Sequence, residues 1–121
     1  MNEERKKEML FMKGMRFYSQ KDYFESHEVW EELWSEYYLV DRKFIQALIQ
    51  LSVSFIHLGN NNIKGAKSLL NKSKNKFKEY SGNHRGINVS KLLSEIEIVS
   101  DKYNNFSGAD NFDWDSIPLL D

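Results

Sequence analysis

Apolar residues recur along most of the chain at the three- and four-residue spacing of α-helices, not at the alternating spacing of strands. The stretches with this spacing predict five helices, at about 3–18, 23–38, 42–58, 62–80 and 89–103. Polar turns and glycines separate these stretches, and the single proline, Pro118, stands near the end. Since chains split into several domains only at roughly 250 residues or more, we expect residues 1–121 to form one all-α domain, a compact five-helix bundle.

The third predicted helix is apolar around nearly its whole circumference. Its apolar residues are Phe44, Ile45, Ala47, Leu48, Ile49, Leu51, Val53, Phe55, Ile56 and Leu58. A helix of this kind needs neighbours on several sides, so we expect it at the centre of the bundle.

A faint internal repeat relates the second and fourth predicted helices at an offset of 40 residues. The aligned positions are Tyr23, Ser26, Val29 and Trp30 in the first copy and Ile63, Ala66, Leu69 and Leu70 in the second. Each copy comes after a polar turn. A period of this length is typical of stacked helical hairpins, so we expect weak helical-repeat character.

Residues 104–121 lack helical spacing but are too apolar for an ordinary free tail. Their large apolar residues are Phe106, Phe112, Trp114, Ile117, Leu119 and Leu120. Leaving apolar surface in water is unfavourable by roughly 25 cal/mol per Å², so we expect this irregular tail to pack back over a groove between helices. The alternative is a short linear motif that docks a partner.

Composition narrows the function classes. The 121 residues include no cysteine, which excludes disulfides, thiolate metal sites and a cysteine nucleophile. The apolar fraction of 40% and aromatic fraction of 14% exclude a wholly disordered chain. The sequence contains neither a charged-then-apolar leader nor an apolar run of about 18 residues, so we expect a cytoplasmic protein with no membrane association.

The net charge of −1 results from opposed blocks, with 21–40 and 101–121 acidic and 61–80 basic. Four lysines lie on one side of the fourth helix: Lys64, Lys67, Lys74 and Lys78. We interpret this lysine face as a solvated surface. Nucleic-acid binding is the weaker alternative, because the face contains no arginine and no interleaved aromatic residue.

Polar residues interrupt the apolar faces of the second and third helices. His27 and Glu31 lie within about 60° of the large aromatic residues of the second helix. Its charged back is formed by Glu25, Glu28, Glu32 and Glu36. On the third helix, Gln46, Gln50 and His57 share one stripe, which Arg42 extends toward the start.

If the two stripes face each other, two hypotheses arise. In the first, which we favour, His27, Glu31, Gln46, Gln50 and His57 form a buried, mutually hydrogen-bonded network that sets helix register, with Arg42 compensating Glu31. In the second, His27, Glu31 and His57 form a two-histidine, one-carboxylate metal site or an acid–base centre. The remaining histidine, His84, lies in a glycine-flanked turn and is expected to be exposed.

Several motifs resemble the bacterial and archaeal domain-of-unknown-function family 309. Residues 17–34 resemble its signature F-N-x-G-x-Y-F-x-A-H-E-x-x-E-x-x-W, and 42–51, R-K-F-I-Q-A-L-I-Q-L, resemble its second block. G-A-K-S-L-L at 65–70 resembles its third block, so the resemblance covers about 17–80. Departures are confined to the turn at 19–22 and to single alanine and glycine positions.

The resemblance implies a compact all-α domain and transfers the family's motif residues onto this chain. These are His27, Glu28, Glu31, Trp34, Arg42, Gln46, Gln50 and His57. It implies no activity, since none is assigned to the family.

From sequence we therefore expect a small cytoplasmic, non-enzymatic interaction or scaffold domain that needs no cofactor. Its partner would be another protein or a second copy of the chain. The alternatives are a metal-dependent or acid–base enzyme centred on His27, Glu31 and His57, and nucleic-acid binding through the lysine face.

Overall fold

A computed structural model describes residues 2–121, and this part of the chain forms five α-helices and one very short hairpin. The helices are α1 (Glu3–Ser19), α2 (Tyr23–Glu36), α3 (Arg42–Gly59), α4 (Ile63–Phe77) and α5 (Val89–Tyr103). The antiparallel hairpin pairs β1 (Asn83–His84) with β2 (Ile87–Asn88) and lies between α4 and α5. Two 3₁₀ turns follow α5, at Ala109–Asn111 and Trp114–Ser116. The all-α prediction is confirmed.

Two predicted helix ends are too long. α2 ends at Glu36 because Tyr37 adopts an extended backbone (φ −130°, ψ 152°), which turns the chain toward α3. α4 ends at Phe77 rather than near residue 80, and a turn leads from it to the hairpin.

The repeat predicted from sequence is present in the turns of two helical hairpins, α1–α2 and α3–α4. Lys21 and Asn61 both adopt a left-handed backbone, with φ of 62° and 61°. The next amides, of Asp22 and Asn62, donate to the carbonyl five residues earlier at 2.9 and 2.8 Å. The side chains of Asp22 and Asn62 then accept from the third residue along, which caps α2 and α4.

Matching hydrogen bonds also join the two helices of each hairpin. Ser26 Oγ on α2 donates to the Gly14 carbonyl on α1 at 2.9 Å, and Ser54 Oγ on α3 donates to the Ala66 carbonyl on α4 at 2.7 Å. At the 40-residue offset Gly14 corresponds to Ser54 and Ser26 to Ala66. The serine donor therefore lies on the second helix of the first hairpin and on the first helix of the second hairpin. Both hairpins are therefore built on one plan.

The third helix lies at the centre, as predicted. α3 packs against α2 on one side and α4 on the other, and ten of its side chains are buried. Its Ser54 also shares a 2.8 Å hydrogen bond with Tyr103 of α5. The buried hydroxyl pair links α5 to this central helix, and burial raises the pKa of Tyr103.

The tail packs back onto the helices, which confirms that expectation and corrects the docking-motif alternative. Ile117 and Leu120 are buried, at 5% and 4% exposure. The Tyr18 hydroxyl donates to the Pro118 carbonyl at 2.7 Å, which joins α1 to the tail. Burial raises the pKa of Tyr18 well above its ordinary value.

The hairpin turn holds the start of α3 through Asp41. Arg85 and Gly86 form this turn with φ of 51° and 81°, a geometry that suits a two-residue hairpin. Arg85 donates to both carboxylate oxygens of Asp41, and His84 Nε2 lies 2.8 Å from one of them. Burial raises the pKa of Asp41, but the hydrogen bonds from Arg85 and His84 outweigh it and lower that pKa to about 2.

The expectation that His84 is exposed is therefore wrong. Its ring packs against Phe44 and Tyr80, with centroid separations of 4.4 and 4.9 Å. Asp41, which immediately precedes α3, makes no side-chain cap because its carboxylate is committed to this contact.

None of the helices within residues 2–121 combines the length and the apolar character needed to cross a bilayer.

Candidate functional site

His27 stands at the edge of α2, between its buried aromatic side and its acidic back. Tyr23 and Trp30 of the same helix point into the core, and Trp30 is fully buried. One turn after His27, Glu31 reaches the surface. The side chains of His27 and Glu31 are 15% and 56% exposed, so the pair is open to solvent on one side.

A hydrogen bond to the backbone fixes the chemistry of the His27 ring. Nδ1 lies 2.5 Å from the Phe24 carbonyl oxygen, which can only accept, so Nδ1 carries the proton and donates. The neutral ring therefore keeps a free lone pair on Nε2, 3.9 Å from Glu31 Oε2. Edge-to-face contact with the Phe24 ring, at 5.0 Å between centroids, further restrains the imidazole.

Glu28 completes a group of three possible ligands, which we call the His27 cluster (His27, Glu28 and Glu31). One ligand atom from each residue lies within 4.8 Å of the other two. An imidazole with a free Nε2 and two carboxylates is a donor set that divalent metal ions accept. Donation of the other ring N–H to a carbonyl is the usual support of a metal-bound histidine.

His57 belongs to a different part of the molecule. Asn62 Oδ1 accepts from the Gly65 amide at 3.0 Å, so its Nδ2 is the group that faces His57 Nδ1, at 3.3 Å. In that contact Nδ1 accepts, and the proton of the neutral ring stands on Nε2. His57 thus supports the α3–α4 turn, and the described structure does not group it with His27 and Glu31.

Arg42 interacts with Trp34, not with Glu31 as expected. Its guanidinium lies over the indole ring, 3.9 Å from the centroid, and donates to the Trp34 carbonyl at 2.9 Å. A stacked guanidinium of this kind is a cation–π contact. It fastens the C-terminal part of α2 to the first turn of α3.

The predicted buried network is wrong in its connections. Gln46 and Gln50 are partly exposed, and Glu31 is exposed. Gln50 Oε1 and Trp34 Nε1 are buried, yet neither has a hydrogen-bond partner among residues 2–121. The physical reason is that His27 and His57 each bond to a group close in sequence, while Arg42 bonds to the Trp34 carbonyl. Arg42 thus links α2 to α3, but no hydrogen bond among residues 2–121 joins the other polar groups of the two stripes.

The lysine face is divided. Lys74 forms an ion pair with Glu97 of α5, whereas Lys64, Lys67 and Lys78 are exposed. Pairing of Lys74 reduces the free positive charge of the face. Nucleic-acid binding at this face stays a prediction.

The sequence-based metal hypothesis left out Glu28, which was assigned from sequence only to the charged back of the second helix and to the motif residues transferred from the family. Helix geometry sets it about 100° from His27, on the acidic back, but the flexible glutamate side chain reaches round to the cluster. The adjacent H-E pair within the family signature is the signal that could have identified it.

Comparisons with known proteins agree with the motif resemblance. Residues 11–69 match the family described as "Domain of unknown function (DUF309)". A relative from Bacillus subtilis (strain 168), "Uncharacterized protein YpuF", is 31% identical over 99 residues, which make up 77% of this chain and 55% of the relative. The chain thus spans about half the length of that relative. No solved structure matches this chain. The motifs and the family match together assign residues 11–69 of the chain to the DUF309 family.

Proposed function

We propose that this protein is a divalent-metal-binding domain whose ligands are His27, Glu28 and Glu31. The observation that carries the proposal is the grouping of these three ligand atoms within 4.8 Å. The His27–Phe24 hydrogen bond supports it, because it leaves Nε2 as the ring nitrogen free to bind. This proposal replaces His57 of the sequence-based metal hypothesis with Glu28.

The donor types indicate which ions to test. Imidazole favours Zn²⁺ and other late divalent ions, whereas carboxylates also accept Mn²⁺ and Mg²⁺. A site with three protein ligands leaves room for water or another ligand on the ion. A bound ion of this kind would act as a Lewis acid toward an oxygen atom of such a ligand.

Neighbouring charge supports cation binding. Glu25, Glu32 and Glu36 are exposed on the same helix, and no basic residue stands in its last turn. A concentrated negative field raises the local concentration of cations even where the residues do not bind them directly. The cluster combines this field with a nitrogen donor.

Calorimetric titration with ZnCl₂, and separately with MnCl₂, tests the proposal. We expect binding of one ion, weakened by at least about tenfold in His27→Ala and in Glu31→Gln. Glu32→Gln is the matched control: it removes the same charge from the exposed side of α2 but lies outside the cluster. Binding should also weaken at acid pH, since protons compete for the ligands.

Two results would count against the site. Equal losses of metal affinity in Glu31→Gln and Glu32→Gln would indicate that the ion is attracted to the acidic helix as a whole, not bound at a defined site. A loss in His57→Ala as large as that in His27→Ala would favour the sequence-based ligand set.

We propose an interaction role in the cytoplasm as the second candidate function. It is supported by large apolar side chains that remain at the surface, such as Tyr38 and Val40 at 75% and 92% exposure. Both lie in the corner between α2 and α3, residues 37–41. Affinity capture from a cell lysate with the native chain and with Tyr38→Ser/Val40→Ser tests whether this corner contributes.

A further inference from the structure

The outward side of α1 carries apolar side chains that the fold leaves uncovered. α1 buries Phe11, Gly14 and Tyr18 against the bundle. On its other side Met9 and Met12 are 56% and 49% exposed. Methionine is flexible and polarizable, and exposed methionines are frequent at surfaces that bind helices of varied sequence.

Long charged side chains surround these methionines and form a shallow groove of about 520 Å³. We call it the α1 face; its residues are Arg5, Glu8, Met9, Met12, Lys13 and Arg16. Three of these residues are basic and one is acidic, so the face has a net positive charge. Within residues 2–121, none of the three basic side chains forms an ion pair. The charge on the face is thus available to a partner.

The size of the face argues for a helical segment rather than a second copy of the chain. From Arg5 to Arg16 it extends about 16 Å along the helix, and six residues line it. A stable protein dimer commonly buries about 800 Å² and 20–30 residues on each side. A single amphipathic helix, in contrast, binds through a few apolar anchors at helical spacing.

We propose that the α1 face docks an acidic amphipathic helix of a partner protein. The apolar side of that helix covers Met9 and Met12, and its Asp or Glu side chains face Arg5, Lys13 and Arg16. This inference rests on the interaction role proposed above and narrows it to one surface and one partner chemistry. It is independent of the metal site, which lies on α2.

An anionic membrane is the other surface that a basic, partly apolar helix contacts. Helices that lie in a bilayer surface present a broad apolar side with Trp, Phe or Leu. Of the three aromatic residues of α1, Phe11 and Tyr18 are buried in the bundle and Phe17 is half-buried, and Glu8 stands within the exposed face. These features favour the protein helix.

Fluorescence anisotropy with a designed peptide tests the inference. The probe is a labelled peptide of about 16 residues with Leu at helical spacing and Glu elsewhere; its matched control carries Lys in place of Glu. We expect the acidic peptide to bind, and the basic peptide to bind at least about tenfold more weakly. The affinity for the acidic peptide should fall by at least about tenfold in each of two double variants, Met9→Ser/Met12→Ser and Lys13→Glu/Arg16→Glu. All four positions are at the surface, and circular dichroism checks that each variant is folded.

Lys64→Glu/Lys67→Glu is the matched charge control, because it reverses two exposed lysines on α4. The inference is overturned if the acidic peptide does not bind, or if the α4 variant loses as much affinity for it as the α1 variants do. It is also overturned if the α1 face binds phosphatidylglycerol vesicles instead of the acidic peptide. Sedimentation showing a dimer that Met9→Ser/Met12→Ser dissociates would make a second copy the occupant.

The outcomes separate this inference from the broader interaction role. If peptide binding depends on α4 instead of α1, the protein still has an interaction role, but the α1 face is not its docking surface. Partner capture that is unchanged in Met9→Ser/Met12→Ser has the same meaning. Loss of capture only in Tyr38→Ser/Val40→Ser also assigns the interaction to the other surface.

Discussion

Replacing Gly14 with alanine tests how closely α1 and α2 pack. A Cβ atom built on Gly14 would lie 2.1 Å from Nε1 of Trp30, far inside any real carbon–nitrogen contact. Trp30 is fully buried and its Nε1 donates to the Phe11 carbonyl at 3.2 Å. The indole therefore has no open space to move into, and α1 and α2 must separate to admit the methyl group.

Three contributions set the expected change in the free energy of unfolding. Overpacking a core costs about 1–3 kcal/mol. Loss of the Trp30–Phe11 hydrogen bond leaves buried polar groups unpaired and costs about 1–3 kcal/mol. Alanine regains about 1 kcal/mol of helix propensity relative to glycine. We expect a net destabilisation of about 3 kcal/mol, a large fraction of the stability of a typical domain.

Urea unfolding followed by circular dichroism measures this change, with Gly59→Ala as the control. A Cβ on Gly59 would meet only the Trp114 ring at 3.9 Å, an ordinary contact, so that variant should retain native stability within about 1 kcal/mol. Equal stability of the two variants would contradict the close packing. In the double variant Gly14→Ala/Trp30→Phe the smaller ring should relieve part of the clash. The double variant should therefore be destabilised by less than the sum of the two single variants' destabilisations.

Two further predictions concern contacts distant in sequence. Asp41→Asn should destabilise the fold by about 2 kcal/mol near pH 5, because a folded pKa of about 2 lies below the ordinary 3.8. The native carboxylate stabilises the fold above pH 4 and loses that effect as pH falls toward 2, so the difference between the urea-unfolding curves of variant and native chain should nearly vanish near pH 2. Tyr18→Phe should leave the Pro118 carbonyl without its 2.7 Å partner and weaken tail packing by about 1–3 kcal/mol, measured as faster proteolysis within 104–121. Unchanged cleavage would mean that apolar burial alone holds the tail.

Local patterns predicted the helices because the information is local. Each helix buries one side, so its apolar spacing appears within a single stretch of sequence. The cap at Asp22 was readable in the same way, since its carboxylate bonds to an amide three residues along. The predicted ends of α2 and α4 were less accurate, because a turn competes with the last helical residues. The geometry of that turn depends on where the next element packs.

The candidate site was only partly predictable. His27 and Glu31 were identified because they interrupt an aromatic side at one-turn spacing. The role of His57 was not, because it depends on which nitrogen Asn62 contacts across the α3–α4 turn. The contact of Arg42 with Trp34 depends likewise on the angle at which α3 leaves the α2–α3 corner.

By itself, the sequence determined the number of helices, the central position of α3, the hairpin repeat and the family. Only the tertiary structure decided which polar groups distant in sequence meet: Arg85 binds Asp41, and Tyr18 bonds to Pro118 across 100 positions of the chain. The physical reason is the range of the forces involved. Apolar burial depends on which side of a helix is buried and tolerates small shifts, whereas a hydrogen bond or metal ligand requires two atoms within a few tenths of an ångström. That precision arises only once the rotation and register of packed helices are set.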